Sequence, residues 1–159
     1  MSVDHQYNVS VAWADANGTG SYASYSRDHQ ISGVDKTHAL EMSAPEWFRG
    51  TKTLYNPGEL FLASIAAAHM IRFLEVASQV GLVVLEYTDD ARGSAHLGSR
   101  GDGVMGPPTL RPRITVQDGP HANDDDIARL HERAQSMSVV RRSLSIDVFV
   151  EPAGLIVLG

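Results

Sequence analysis

One long apolar segment with a marked start and stop constrains this chain more than any other feature. Asn56 is a good helix cap, Pro57 suits the first helical position, and Glu59 stands three residues after the cap, which together make a capping box. The segment then runs through Leu60, Phe61, Ile65, Ala66, Ala67, Ala68, Met70, Ile71, Phe73, Leu74 and Val76 to a Gly81 stop. His69, Arg72 and Glu75 interrupt it. A helix apolar nearly all round is central and covered on most sides. In a chain of 159 residues this also points to a second subunit, so a symmetric homodimer is expected.

The flanking patterns are those of strands. Tyr7, Val9, Val11 and Trp13 alternate with Asn8, Ser10 and Ala12, a period of two that predicts a half-buried strand. Residues 15–20 are turn chemistry, and residues 22–31 should return as a hairpin. Residues 37–42 predict a short third strand, and residues 43–55 a loop holding Trp47, Phe48 and Arg49. After the long helix, residues 82–87 are β-rich and are expected to continue to His96, residues 98–108 read as a flexible loop, and residues 110–116 as a strand. Asn123 caps a second helix with three aspartates in its first turn and Ile127, Leu130, Ala134 and Met137 along one face. Residues 144–150 and 155–158 close the chain as strands. The expectation is one α+β domain over residues 1–159, its sheet mainly antiparallel with helices on one side.

Composition excludes several functions. The chain contains no cysteine, which removes disulfides, thiolate metal sites and cysteine nucleophiles together. A net charge of −6, with its arginines scattered, argues against a nucleic-acid partner. No run of 18 apolar residues and no signal peptide is found, so neither a membrane nor export is expected and a cytoplasmic location is the default. Seven histidines include no HxH or HxxxH pair, and Glu75 is six residues from His69, so no metal or other cofactor is expected. The aspartates at 124–126 lack the alternating ligands and glycine of a calcium loop. Gly18-Thr19-Gly20 lacks the context of a phosphate loop, and no serine-hydrolase elbow is present.

Tyr55-Asn56-Pro57-Gly58-Glu59-Leu60-Phe61-Leu62-Ala63-Ser64, continuing into Ala66-Ala67-Ala68-His69-Met70, resembles the OsmC/Ohr family of osmotically induced and organic-hydroperoxide-resistance proteins. The resemblance extends to YASYSRDH at residues 22–29, to Phe48-Arg49-Gly50, and to the second helix ending in Met137-Ser138-Val139-Val140. The subfamily with Ser-Arg-Asp-His after the first hairpin is the most similar. The resemblance implies an intertwined homodimer, with antiparallel sheets wrapped around two long helices. It also implies reduction of hydroperoxides by a peroxidatic cysteine on the long helix, resolved by a second cysteine at the end of the second helix.

The departures fall on the chemistry. Ala68 stands at the position matching the peroxidatic cysteine, Ser138 at the position matching the resolving one, and Gly58 at the position matching the glutamate that holds the family's arginine. Glu59 is retained, and the capping box alone accounts for it. Gly58 and Ala68 are ten residues apart, about 15 Å along one helix, so a family site using both positions would be shared between subunits. Arg27 and Arg49 are both candidates for the arginine, and the sequence does not choose between them. Asp28 and His29 follow Arg27 as a polar strand end or as part of the same site. His69, next to Ala68, is either a hydrogen-bonded core histidine or a base. Trp47 and Phe48 either wall a pocket or anchor a loop.

Four functions follow from these residues. The first is an OsmC-like protein that keeps an apolar pocket at the dimer interface and binds a small apolar or amphipathic molecule without peroxidase chemistry. The second is an enzyme of different chemistry using His69 with Ser138 or an arginine in that cavity. The third is an active peroxidase whose cysteines have been substituted. The fourth is a purely structural interaction protein.

Overall fold

The computed structural model describes residues 4–159. The chain forms two compact units, Met1–Leu60 and Phe61–Gly159. In the first, β1 (Ser10–Ala12), β2 (His29–Ser32) and β3 (Leu40–Met42) make an antiparallel sheet in the order β1-β2-β3, with Ser10 opposite Ser32 and Ile31 opposite Leu40. The predicted first strand is real but short, and its apolar face, with Val9 and Val11, is exposed where half-burial was expected. The returning run departs from expectation: residues 22–25 form a turn, and extended pairing begins only at His29. The 43–55 loop contains a 3-10 turn, Glu46–Phe48, closed by Arg49 in the left-handed conformation (φ 63°). Gly50 follows because a Cβ there would lie 1.7 Å from the Ala44 carbonyl oxygen.

Helix α1, Pro57–Gln79, starts in the first unit and runs through the second. Its capping box forms in both directions. The Asn56 N–H donates to Glu59 Oε2 at 2.9 Å, and the Glu59 N–H donates to Asn56 Oδ1 at 3.1 Å. It ends at Gly81, whose φ of 79° suits glycine.

In the second unit β8 (Pro112–Gln117) is the middle strand of a three-stranded sheet. It pairs parallel to β10 (Gly154–Leu158) and antiparallel to β4 (Val84–Asp89). The expected run to His96 is broken: β5 (Ala95–Leu97), at its end, forms a hairpin with β6 (Gly103–Met105), which lies inside the 98–108 segment that reads from sequence as a loop. Tight glycine turns gave that segment its loop-like composition while its ends pair. A parallel pair, β7 (Thr109–Leu110) with β9 (Phe149–Val150), takes only the last two residues of the predicted 144–150 strand. Two of the strand pairings are thus parallel, in a protein whose other sheets are antiparallel as expected. Helix α2, Asp124–Met137, is capped by Asn123, whose side chain accepts from the Asp126 N–H at 3.0 Å. A four-residue helix, α3 (Val139–Arg142), follows it.

Every fourth or third residue of α1, Ile65, His69, Phe73, Val76 and Ala77, is buried. The C-terminal half joins Ile114 and Val116 of β8 and Ile127, Leu130 and Ala134 of α2 in the larger apolar cluster. The N-terminal half joins Leu110 and Val148 in a smaller one. By length and composition α1 would also suit a membrane, but its buried stripe packs in a protein core. Phe73 is fully buried, so Phe73→Ala should cost about 3–5 kcal/mol, read as a lower urea midpoint at unchanged m-value.

Candidate functional site

The residues singled out by sequence take up different environments. Ala68 is half-buried on α1. Ser138 is 2% exposed and sits at the corner between α2 and α3. Its N–H donates to the Gln135 carbonyl at 3.4 Å, ending α2, and its hydroxyl accepts from the Arg141 N–H at 3.3 Å, starting α3. The first is a backbone bond; the second needs a short oxygen-bearing side chain, which serine supplies well at a helix start. The hydroxyl is engaged as a cap, and among the described residues no base hydrogen-bonds to it to make it a nucleophile.

His69 is 2% exposed, and its Nε2 lies 3.0 Å from Nδ1 of His131, which is 3% exposed. The two rings are 11° from parallel with centroids 5.2 Å apart, as for rings bonded edge to edge, and Phe73 stacks on His131 at 4.3 Å. The pair ties α1 to α2. Between Ile65 in one apolar cluster and Phe73 in the other, His69 supplies the polar link of the buried stripe. Burial pulls His69 down to about 4. It pulls His131 down to about 3, with the neighbouring imidazole adding to the effect. Both are therefore neutral at physiological pH, and one ring donates to the other. His131 Nε2 is buried without a protein partner among the described residues, as is the Tyr87 hydroxyl on the other neighbour of Phe73.

His131 was not among the residues singled out. The signal was available: it lies four residues after Ile127 and three before Ala134, a histidine on the apolar face of α2. Among the described residues no three histidine, aspartate or glutamate side chains converge to hold a metal.

The first unit carries the arginines and Gly58, which is half-buried in the first turn of α1. Arg49 is exposed and donates to the Ala23 carbonyl at 3.3 Å. Arg27 is half-buried between Tyr22 and Tyr25 and lines an open cleft of about 320 Å³ with Val11, Trp13 and His29. Asp28 accepts from the Thr51 hydroxyl at 2.8 Å, and His29 Nδ1 lies 2.8 Å from the Arg27 carbonyl oxygen. Trp47 is exposed against a half-buried Phe48.

Comparison with known proteins is decisive for the family. The family model described as OsmC-like protein matches residues 50–152. The chain belongs to that family. No curated protein matches it. An OsmC-like protein of unknown function from Vibrio cholerae has the same fold at a TM-score of 0.82 and 23% identity, covering 96% of this chain and 100% of the other. The organic hydroperoxide resistance protein of Bacillus subtilis superposes at a TM-score of 0.60 with 18% identity, covering 97% and 98%. A second Vibrio cholerae protein, with a molecule of captopril bound in one of its active sites, superposes at 0.64 with 22% identity, covering 100% and 95%. At these identities the likeness is one of fold. Within this OsmC-like fold the cysteine-free sequence leaves Ala68 and Ser138 where the resemblance expects thiols.

The buried imidazole pair makes stability depend on pH. Above pH 6.5 both rings are neutral in the folded and unfolded states alike. Below it the unfolded chain takes up protons that the folded chain refuses until about pH 4 and about pH 3. Stability should therefore fall as pH drops below 6.5, by roughly 1.4 kcal/mol per pH unit for each ring. Urea midpoints at pH 7, 5.5 and 4.5 should show the decline, and His131→Leu should make it about half as steep.

Proposed function

We propose that this chain is a binding member of the OsmC-like family, holding a small apolar or amphipathic molecule without reducing peroxide. The observation that carries the reading is the fate of the two thiol positions. Ala68 offers no reactive atom, and the Ser138 hydroxyl is buried and engaged as the cap of α3. Thiol-dependent peroxide reduction needs a thiolate to attack the peroxide, and no residue of this chain supplies one. The retained fold supports the binding half of the reading, as does a relative of that fold that takes up captopril in an active site. His69 bonds to His131 and the Ser138 hydroxyl accepts from the Arg141 N–H, which favours the binding reading over one that pairs His69 with Ser138.

The same reading includes a homodimer. Ala63, Ala67, Ile71 and Leu74 follow a 4-4-3 spacing along one face of α1, and Ile71 is 59% exposed. Two alanines allow another helix to approach closely, and the larger side chains give it apolar area to cover.

Two measurements test these statements. With cumene hydroperoxide and either dithiothreitol or a lipoylated reductant, purified protein should consume no more peroxide than buffer; turnover would overturn the binder reading. Light scattering on a sizing column should give twice the chain mass, and Ile71→Glu should shift it toward the chain mass; a monomeric parent protein would remove the dimer.

A further inference from the structure

Arg27 is held in a way that leaves its charge uncancelled. Its Cζ lies 3.7 Å from the centroid of the Tyr25 ring and 4.7 Å from that of Tyr22. One terminal nitrogen donates to the Tyr22 carbonyl at 2.5 Å, and the other to the Tyr25 carbonyl. Rings and neutral carbonyls orient a guanidinium but do not neutralise it. Among the described residues no carboxylate forms an ion pair with it. The adjacent Asp28 carboxylate accepts from Thr51, and Asp15 accepts from the N–H groups of Ser26 and Asn17 at 2.9 and 2.8 Å. A half-buried cation of this kind carries a desolvation cost that a bound anion would offset.

The space beside it suits an apolar tail. The cleft of about 320 Å³ is walled by Val11, Trp13 and Tyr25, all from the first unit, with His29 at its edge. Trp13 is held in place by an Nε1–H bond to the Ser26 carbonyl at 2.7 Å and by an edge contact with Tyr25, whose ring centroid is 6.0 Å away. That volume is near the lower end for ligand pockets, so it accommodates a short hydrocarbon chain. Two of the five guanidinium N–H donors are used, which leaves a fork for a carboxylate.

We propose that this cleft binds an amphipathic molecule bearing one carboxylate, its head on Arg27 and its hydrocarbon chain against Trp13, Val11 and Tyr25. The proposal rests on the binder reading and narrows its ligand class from apolar to anionic.

The test uses Trp13 fluorescence in a Trp47→Phe background, titrated with decanoate and, separately, with 1-decanol, both below their aggregation concentrations. Decanoate should bind saturably and at least about tenfold more tightly than decanol, a ratio of about 1.4 kcal/mol. Arg27→Gln should bring decanoate down to the level of decanol with an unchanged circular dichroism spectrum. Should that variant fail to fold, Arg27→Lys, which keeps the charge but loses the planar fork, should still reduce the preference severalfold. Equal affinity for the two probes in the parent, or a preference undiminished in the Arg27 variants, would overturn the anionic assignment and leave the apolar binder standing. Binding of neither probe would overturn the assignment of this cleft, whereas the binder reading itself falls only to peroxide turnover.

Discussion

The buried stripe of α1 is the constraint on which the second unit depends. Ile65, Phe73, Val76 and Ala77 give both apolar clusters their shared wall, and the strands and the second helix assemble against it. A stripe of that kind is ordinarily all apolar. Here its second member is an imidazole, and a buried polar ring without a partner would be destabilising. His131 on α2 supplies that partner at 3.0 Å, so the contact that satisfies His69 also joins α1 to α2. Packing and polar satisfaction therefore meet at a single contact.

The two positions where the family resemblance expects thiols sit in different surroundings. At Ala68 a small side chain remains on a helix whose exposed face is already rich in small residues, and nothing else is asked of it. Ser138 has a function in the fold, because its oxygen caps α3 while its N–H closes α2. Charge tells a related story in the first unit. Arg27 is oriented by two tyrosines and two carbonyls, and it meets no carboxylate of its own chain among the described residues.

Local signals in the sequence determined both long helices and their ends. Asn56 with Glu59, Asn123 with Asp126, and Gly81 all act within a few residues of themselves, so their bonds follow from spacing alone. The α+β class, the family and the absence of thiol chemistry were legible for similar reasons, since ordered motifs and composition are properties of the chain. Strand limits were less so. The β5–β6 hairpin hides in glycine-rich residues because pairing there is decided by the partner strand and not by side-chain propensity. The parallel pairs β8–β10 and β7–β9 join segments some forty residues apart, which no local pattern encodes. His69 could be singled out in the sequence, but only the packing of α2 on α1 showed that its partner is a second histidine. Arg27 and Arg49 were equal as letters. Tertiary structure made one a clamped, half-buried cation and the other an exposed turn residue, because charge burial depends on neighbours that the chain brings from elsewhere.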